Sequence, residues 1–153
     1  MIDLALYQPE IPGNAGTLIR LSACLGTRLH IIEPASFRLD DAALRRSQLD
    51  YAERAVILRH DSFADFRAWQ TSSARRLILA TTRATVRHID FAYRADDVLL
   101  FGRESAGVPD SVHELADGRV RIAMADGARS INLAVSGGML LGEALRQTGG
   151  FPA

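Results

Sequence analysis

Apolar and polar positions along the chain alternate between short apolar runs and longer stretches of helical period. Ile2 to Tyr7 is an apolar run stopped at Gln8–Pro9, which reads as a strand entering a core from an edge. Pro9, Pro12 and Gly13 make a stiff turn, and Asn14 is placed to cap a helix running to Leu25 and closed by Gly26. On that helix Ala15, Leu18, Leu21, Ser22 and Leu25 share an inward arc, while Arg20 points away beside Gly16. Leu29 to Ile32, Ala55 to Leu58, Leu77 to Ala80 and Val98 to Phe101 read as further strands. Between them the pattern predicts a short polar helix over Asp41 to Leu49, with Arg45 and Arg46 solvated. A second helix is predicted from Phe63 to Trp69, capped by Asp61 or Ser62, and a third opens at Pro109 and ends near Leu115.

The segment from Arg121 to Gln147 organises the rest. A strand over Val120 to Ala123 is followed by a turn at Asp126–Gly127 and a helix that is apolar on nearly every side. Such a helix must be buried on more than one face. It carries Gly137, Gly138 and Gly142, each costing about 0.8–1 kcal/mol relative to Ala in a helix interior. A close approach by a backbone, a ligand or a second subunit is the compensation expected there. Alternating strands and helices imply an α/β protein with a parallel sheet, and one domain spans residues 1–153 without repeat or linker.

Composition narrows the function classes. Eighteen basic residues balance eighteen acidic ones, so no global field marks a nucleic-acid partner; all eighteen basic residues are Arg, which suits bidentate phosphate contacts but also fits a GC-rich coding bias. The single Cys24 excludes an internal disulfide and a multi-cysteine zinc site, and the four histidines show no metal-ligand spacing. His30 reads as a packed polar residue within a strand. The N-terminus turns polar too early for a signal peptide, and the apolar run within Ile131 to Leu145 is too short and interrupted to span a bilayer. The expected setting is cytoplasmic, with no membrane and no metal.

The common phosphate and dinucleotide loops are missing: there is no GxxxxGK[ST], no GxGxxG after the first strand, and Ser105 lacks the first Gly of a nucleophile elbow. Three strand exits remain: Ala80–Thr81–Thr82, Gly102 to Gly107, and Ala123 to Ser130. Ligands of parallel α/β sheets bind at the carboxyl ends of strands, and these exits carry small residues suited to an adenosine-sized ligand held by main-chain groups. Each exit alone is an ordinary turn, Arg20 alone an exposed helix arginine, Asn14 a cap and Glu104 a loop charge.

Together, PEIPGNAGTLIRL (9–21), LLFGRESAGVP (99–109) and RIAMADGARSINLAVSGG (121–138) resemble the SPOUT superfamily of RNA 2′-O-methyltransferases, and RLHIIEP (28–34) and LDYAE (49–53) extend the likeness along the chain. The likeness is to its small members that methylate the wobble ribose of leucine tRNAs. It implies a parallel sheet flanked by helices with a deep C-terminal trefoil knot, S-adenosyl-L-methionine held in the knot, and a homodimer that grips tRNA with local arginines. It places Ala80, Gly102, Ile122 and Ser130 at the cofactor, and gives a catalytic role to Arg20 accompanied by Asn14, Glu104, Ser130 and Asn132. Arg holds its proton at neutral pH. The resemblance therefore implies either that Arg20 acts as a base assisted by a substrate phosphate or that it fixes phosphate and ribose while stabilising developing charge.

Two positions depart from the pattern: Ala134–Val135 stands where relatives often carry Ser-Asn, and Arg103 where relatives can carry Pro or Ser. Both bear on substrate choice. A superfamily member acting on another tRNA or rRNA ribose is the nearest alternative; a non-catalytic knotted RNA-binding protein and a nucleotide- or flavin-binding module are the others.

Overall fold

The computed structural model describes residues 1–38, 42, 44, 46, 51 and 53–153. In chain order they form β1 (Asp3–Tyr7), α1 (Pro12–Leu25), β2 (Arg28–Ile32), β3 (Val56–His60), α2 (Phe63–Ser72), β4 (Leu77–Ala80), β5 (Val98–Phe101), α3 (Asp110–Leu115), β6 (Gly118–Val120) and α4 (Leu133–Thr148). The six strands make one sheet in the order β3-β2-β1-β5-β4-β6, with every pairing parallel. Helices cover both faces, so alternate residues of one strand enter different cores. Leu4 and Leu6 of β1 pack with Ala15, Leu18, Leu140 and Leu141 of α1 and α4. Ala5 and Tyr7 pack on the opposite face with Phe66 of α2 and Val112 of α3. No helix among the described residues is long and apolar enough to cross a membrane.

Several sequence expectations shift. β1 is not an edge strand: it lies third of six and all five of its residues are buried. Asn14 does not cap α1. The helix starts three residues earlier, with Ile11 rather than Asn14 at the cap position and Pro12 in the first turn, because proline's fixed φ and missing N–H suit that place. The Asn14 amide is thereby released for tertiary bonds. Gly26 does close α1 as expected, at φ +65° with its N–H on the Ser22 carbonyl. The last strand ends at Val120 rather than running to Ala123. Its partner β4 stops at Ala80, and the backbone of Arg121 is taken instead by the 81–97 segment, through Arg121 N–H to Val86 O (2.9 Å) and His88 N–H to Arg121 O (2.8 Å). Most of the helix expected over 41–49 falls on residues outside those described, Arg45 among them; Ala42, Leu44 and Arg46 are described and helical, with Leu44 buried and Arg46, as expected, exposed.

α4 is capped by Asn132, whose Oδ1 accepts from the backbone of Ala134 and Val135. Of its glycines, Gly137 alone answers a close approach within the described residues: a Cβ there would lie 2.5 Å from Leu18 Cδ2 of α1. A Cβ at Gly138 would only touch Leu21 at 3.9 Å, and one at Gly142 would meet nothing. His30 is fully buried, with Nε2 3.2 Å from Asp3 and Nδ1 2.9 Å from His60 Nε2.

Candidate functional site

Because β5, β4 and β6 are neighbours, their three carboxyl-end loops converge. They enclose a cleft of about 600 Å³ lined by 79–83, 101–108, 120–122, Met124, 129–133, Ser136 and Leu140, with Ile11, Asn14 and His113 at its sides. Ala80, Gly102, Ile122 and Ser130 all line it, as do Asn14, Glu104 and Asn132. Arg20 does not. It is exposed on α1 with its guanidinium 5.1 Å from the centre of the Tyr51 ring.

The loop after β5 is folded tightly on itself. Arg103 and Gly107 exchange two backbone hydrogen bonds of 2.9 Å, and Gly107 sits at φ +62°. Gly102 is pressed against the returning strand of this loop: a Cβ would lie 2.5 Å from the Gly107 carbonyl carbon.

A continuous chain of hydrogen bonds joins three segments remote in sequence. Asn132 spends its Oδ1 on capping α4, so its Nδ2 faces Asn14 and donates to Oδ1 at 2.9 Å. Asn14 Nδ2 donates to Glu104 Oε1 at 3.2 Å. Glu104 also accepts from the backbone N–H groups of Glu10 (2.9 Å) and Ile11 (3.2 Å). Glu10 returns the bond to the other loop, accepting from Ser105 N–H (2.9 Å) and Ser105 O–H (2.8 Å). Those two bonds, backbone then side chain, hold the Glu10 carboxyl below its ordinary range despite the opposing desolvation. The reciprocal pair Glu10 and Glu104 therefore fastens the start of α1 to the loop after β5.

Glu10 is a site residue the sequence reading missed. Its partner is 95 positions away, and a glutamate in a proline turn carries no local signal for it. His113 was also set aside as one of four scattered histidines. Arg119 Nε donates toward His113 Nδ1 (3.3 Å), which leaves the proton on Nε2, and that buried nitrogen has no partner among the described residues. Burial, then the charges of Arg83 and Arg119, lower its pKa and keep the ring neutral. Arg103 Nε is likewise buried without a partner among the described residues, and its guanidinium lies 5.8 Å from the Tyr7 ring centre. Arg83, Arg121 and Arg129 add to Arg103 around the cleft, giving it a local positive character that zero net charge conceals.

A cleft of this volume falls within the 300–1,000 Å³ span typical of small-molecule sites. Donors on His113 and Arg103 without partners among the described residues, and a loop whose Gly102 and Gly107 line the cleft with no side chains, match a polar ligand held close to backbone.

Comparison with known proteins bears on this geometry. Residues 1–142 match the SpoU rRNA methylase family. The chain is 60% identical over 150 residues to the tRNA (cytidine(34)-2′-O)-methyltransferase of Ancylobacter novellus, covering 98% of this chain and 95% of that protein. Among solved structures, one described by the 2-OH methylation of C/U34 on tRNA superposes with a TM-score of 0.92 at 40% identity, covering 96% of this chain and 95% of that one. The AdoMet-bound rRNA methyltransferase from Sinorhizobium meliloti superposes with a TM-score of 0.88 at 28% identity, over 95% of this chain and 56% of that one.

Proposed function

The chain belongs to the SpoU rRNA methylase family, and on that premise we propose that it transfers the methyl group of S-adenosyl-L-methionine to the ribose 2′-hydroxyl of the wobble nucleotide of tRNA, with leucine tRNAs as substrates. The observation that carries the reading is the 60% identity to a tRNA (cytidine(34)-2′-O)-methyltransferase along nearly the whole of both chains. The cleft supports it, since its residues suit the cofactor in volume, in side-chain-free backbone at Gly102 and Gly107, and in donors without partners among the described residues.

Ala80, Gly102, Ile122 and Ser130 would hold the cofactor, largely through backbone. S-adenosyl-L-methionine, when bound, supplies an electrophilic methyl group. The work of this chain's residues is to place the ribose hydroxyl and manage its proton. Asn14, Glu104 and Asn132 have most of their hydrogen-bonding capacity committed to one another and to backbone, so we assign them the positioning of α1 against the loop after β5. Arg20 stands about 9 Å further along the α1 axis than Asn14, at 1.5 Å per residue. We place it at the RNA, where it fixes a phosphate and the ribose and stabilises the charge that develops on the 2′-oxygen. Arg121 and Arg129 flank the cleft and supply further phosphate contacts.

Two further features belong to this reading. We propose that the C-terminal segment threads the 81–97 loop to form the trefoil knot. That loop bonds Arg121 on one side and Gln147 of α4 on the other, through Tyr93 N–H (3.1 Å) and Phe91 O (3.0 Å). An experimental structure in which 121–148 can be withdrawn without crossing 81–97 would overturn it. The second feature is a homodimer through α4, where Val135 and Met139 are exposed one turn apart and Gly138 and Gly142 leave room beside them.

The test is transfer of tritium from labelled S-adenosyl-L-methionine to total tRNA, with nuclease mapping of the labelled ribose. Label at the wobble nucleotide of leucine tRNAs is expected, and Arg20→Ala should lower turnover by about 10²–10³-fold with cofactor binding kept. Label at another ribose would retain the chemistry and refute the substrate. Absence of label would refute methyl transfer to tRNA.

A further inference from the structure

At the opposite, amino-terminal end of the sheet lies a second open cleft of about 610 Å³. It is formed where β2 and β3 begin, beside the end of α1 and the loop that precedes β4. Arg28, Arg54 and Arg75 line it, with Asp96 at its edge and the buried Asp3 behind. It does not belong to the site described above: the strands are four to five residues long, which at roughly 3.3 Å per residue separates the two ends by about 15 Å.

Two of the guanidiniums are fixed in place. Arg28 Nε and Nη2 both donate to Asp3 (3.1 and 2.7 Å), and Arg75 Nη1 donates to Asp3 at 2.7 Å. Both stack near Trp69, 5.8 and 5.9 Å from its ring centre. Arg28 Nη1 remains uncommitted among the described residues, and its side chain is one-third exposed. Arg54 is exposed and its guanidinium has no partner among the described residues. Two hydroxyls lining the same cleft, Ser22 Oγ and Thr27 Oγ1, are buried and also without partners among the described residues. Buried hydroxyls without partners are uncommon in folded proteins and call for a ligand or another explanation. Positive charge exceeds negative around the cleft, the carboxylate of Asp3 is already saturated, and the spare groups are all capable of donating.

We propose that this cleft is a binding site for a phosphate-class oxyanion, gripped by Arg54 and Arg28 and completed by the hydroxyls of Thr27 and Ser22, which are turned into the wall of the cleft in this structure and reach the ion by rotation about χ1. Guanidinium forks match phosphate oxygens, and hydroxyl donors fill the remaining acceptor positions. The oxyanion is either a free phosphate or a backbone phosphate of a bound RNA. The site does not rest on the methyl-transfer reading and is tested by binding alone.

The experiment is isothermal titration of inorganic phosphate into the full chain at low salt, alongside total-tRNA binding measured across a salt series. Arg54→Glu is chosen because Arg54 is exposed and supports no described contact. Thr27→Val is near-isosteric and removes a hydroxyl that bonds nothing among the described residues, so its unfolding midpoint should not fall. A free-phosphate site gives saturable one-to-one binding that weakens about tenfold or more in Arg54→Glu and measurably in Thr27→Val. A site for an RNA phosphate gives weak phosphate binding but a tRNA salt slope lowered by about one or more in Arg54→Glu. Phosphate binding unchanged in both variants would assign it to the other cleft and overturn the proposal. So would an absence of phosphate binding together with an unchanged salt slope.

Discussion

Replacing Gly102 with Ala tests whether the loop after β5 holds the cofactor. The new Cβ would stand 2.5 Å from the Gly107 carbonyl carbon and 2.6 Å from its Cα. Carbon atoms in favourable contact sit about 3.5–4.0 Å apart, so the returning limb of the loop must move by about 1 Å. Both neighbours are backbone and neither can rotate away. The exchange between Arg103 and Gly107, two bonds of 2.9 Å, would open. At a net worth near 1 kcal/mol each, that loss is about 2 kcal/mol. In a chain of this size each kcal/mol shifts the melting temperature by roughly 2–4 °C, giving an expected fall of about 4–8 °C. Gly107→Ala is the control. It forces a side chain into the left-handed region at φ +62°, at a cost of about 1–2 kcal/mol, but its Cβ meets no described atom within 4 Å and leaves the loop in place. Both variants should therefore melt earlier by similar amounts. The assay is thermal unfolding with and without S-adenosyl-L-methionine, since a ligand at a hundredfold excess over Kd adds about 2.7 kcal/mol. Gly107→Ala should keep that increment and Gly102→Ala should lose most of it. A full increment in Gly102→Ala would refute the placement of the cofactor against this loop.

Two further expectations follow from the packing and the buried charges. Gly138→Leu fills the space beside Val135 and Met139, where within one chain a Cβ touches only Leu21 at 3.9 Å; light scattering should report monomer or aggregate, and an unaltered dimer would displace the interface from this face. The pH dependence should show two acid steps. Burial, then the neighbouring His30, lowers the pKa of His60 below its ordinary 6.5, so the unfolded chain takes up a proton more readily. That contribution is complete above pH 6.5 and declines below it. Burial alone would raise Asp3, but hydrogen bonds from His30 and Arg28 and the charges of Arg75 and Arg28 leave it lowered from 3.8. Its contribution is present above that value and lost as pH falls through the lower folded value. Urea midpoints at pH about 7.5 and about 5.5 should differ in the native chain. His60→Gln should narrow the difference without abolishing it, because His113 is lowered too. Equal native midpoints would refute the His60 assignment.

Strand and helix positions were legible wherever the chemistry was local. Ser62 accepts from Asp65 N–H and starts α2, Gly26 closes α1, and β4 and β5 occupy the expected residues. Distant partners decided much of the rest. The last strand stops at Val120 because the 81–97 segment takes Arg121, and Asn14, released from the cap position by Pro12, becomes a crosslink to Glu104 and Asn132.

The amino-acid sequence by itself determined the α/β alternation, the family, and the three motifs whose residues line the carboxyl-end cleft, because periodicity, caps and motif order are properties of neighbours along the chain. Only the tertiary structure decided that β1 is central, that Glu10 and Glu104 clasp one another's loops, that Arg20 stands outside the cleft of its own chain, that His113 Nε2 has no partner among the described residues, and that guanidiniums gather at the far end of the sheet with hydroxyls likewise without partners among those residues. Those facts depend on strand order and on contacts between residues up to 118 positions apart, for which no local pattern in the chain carries the information.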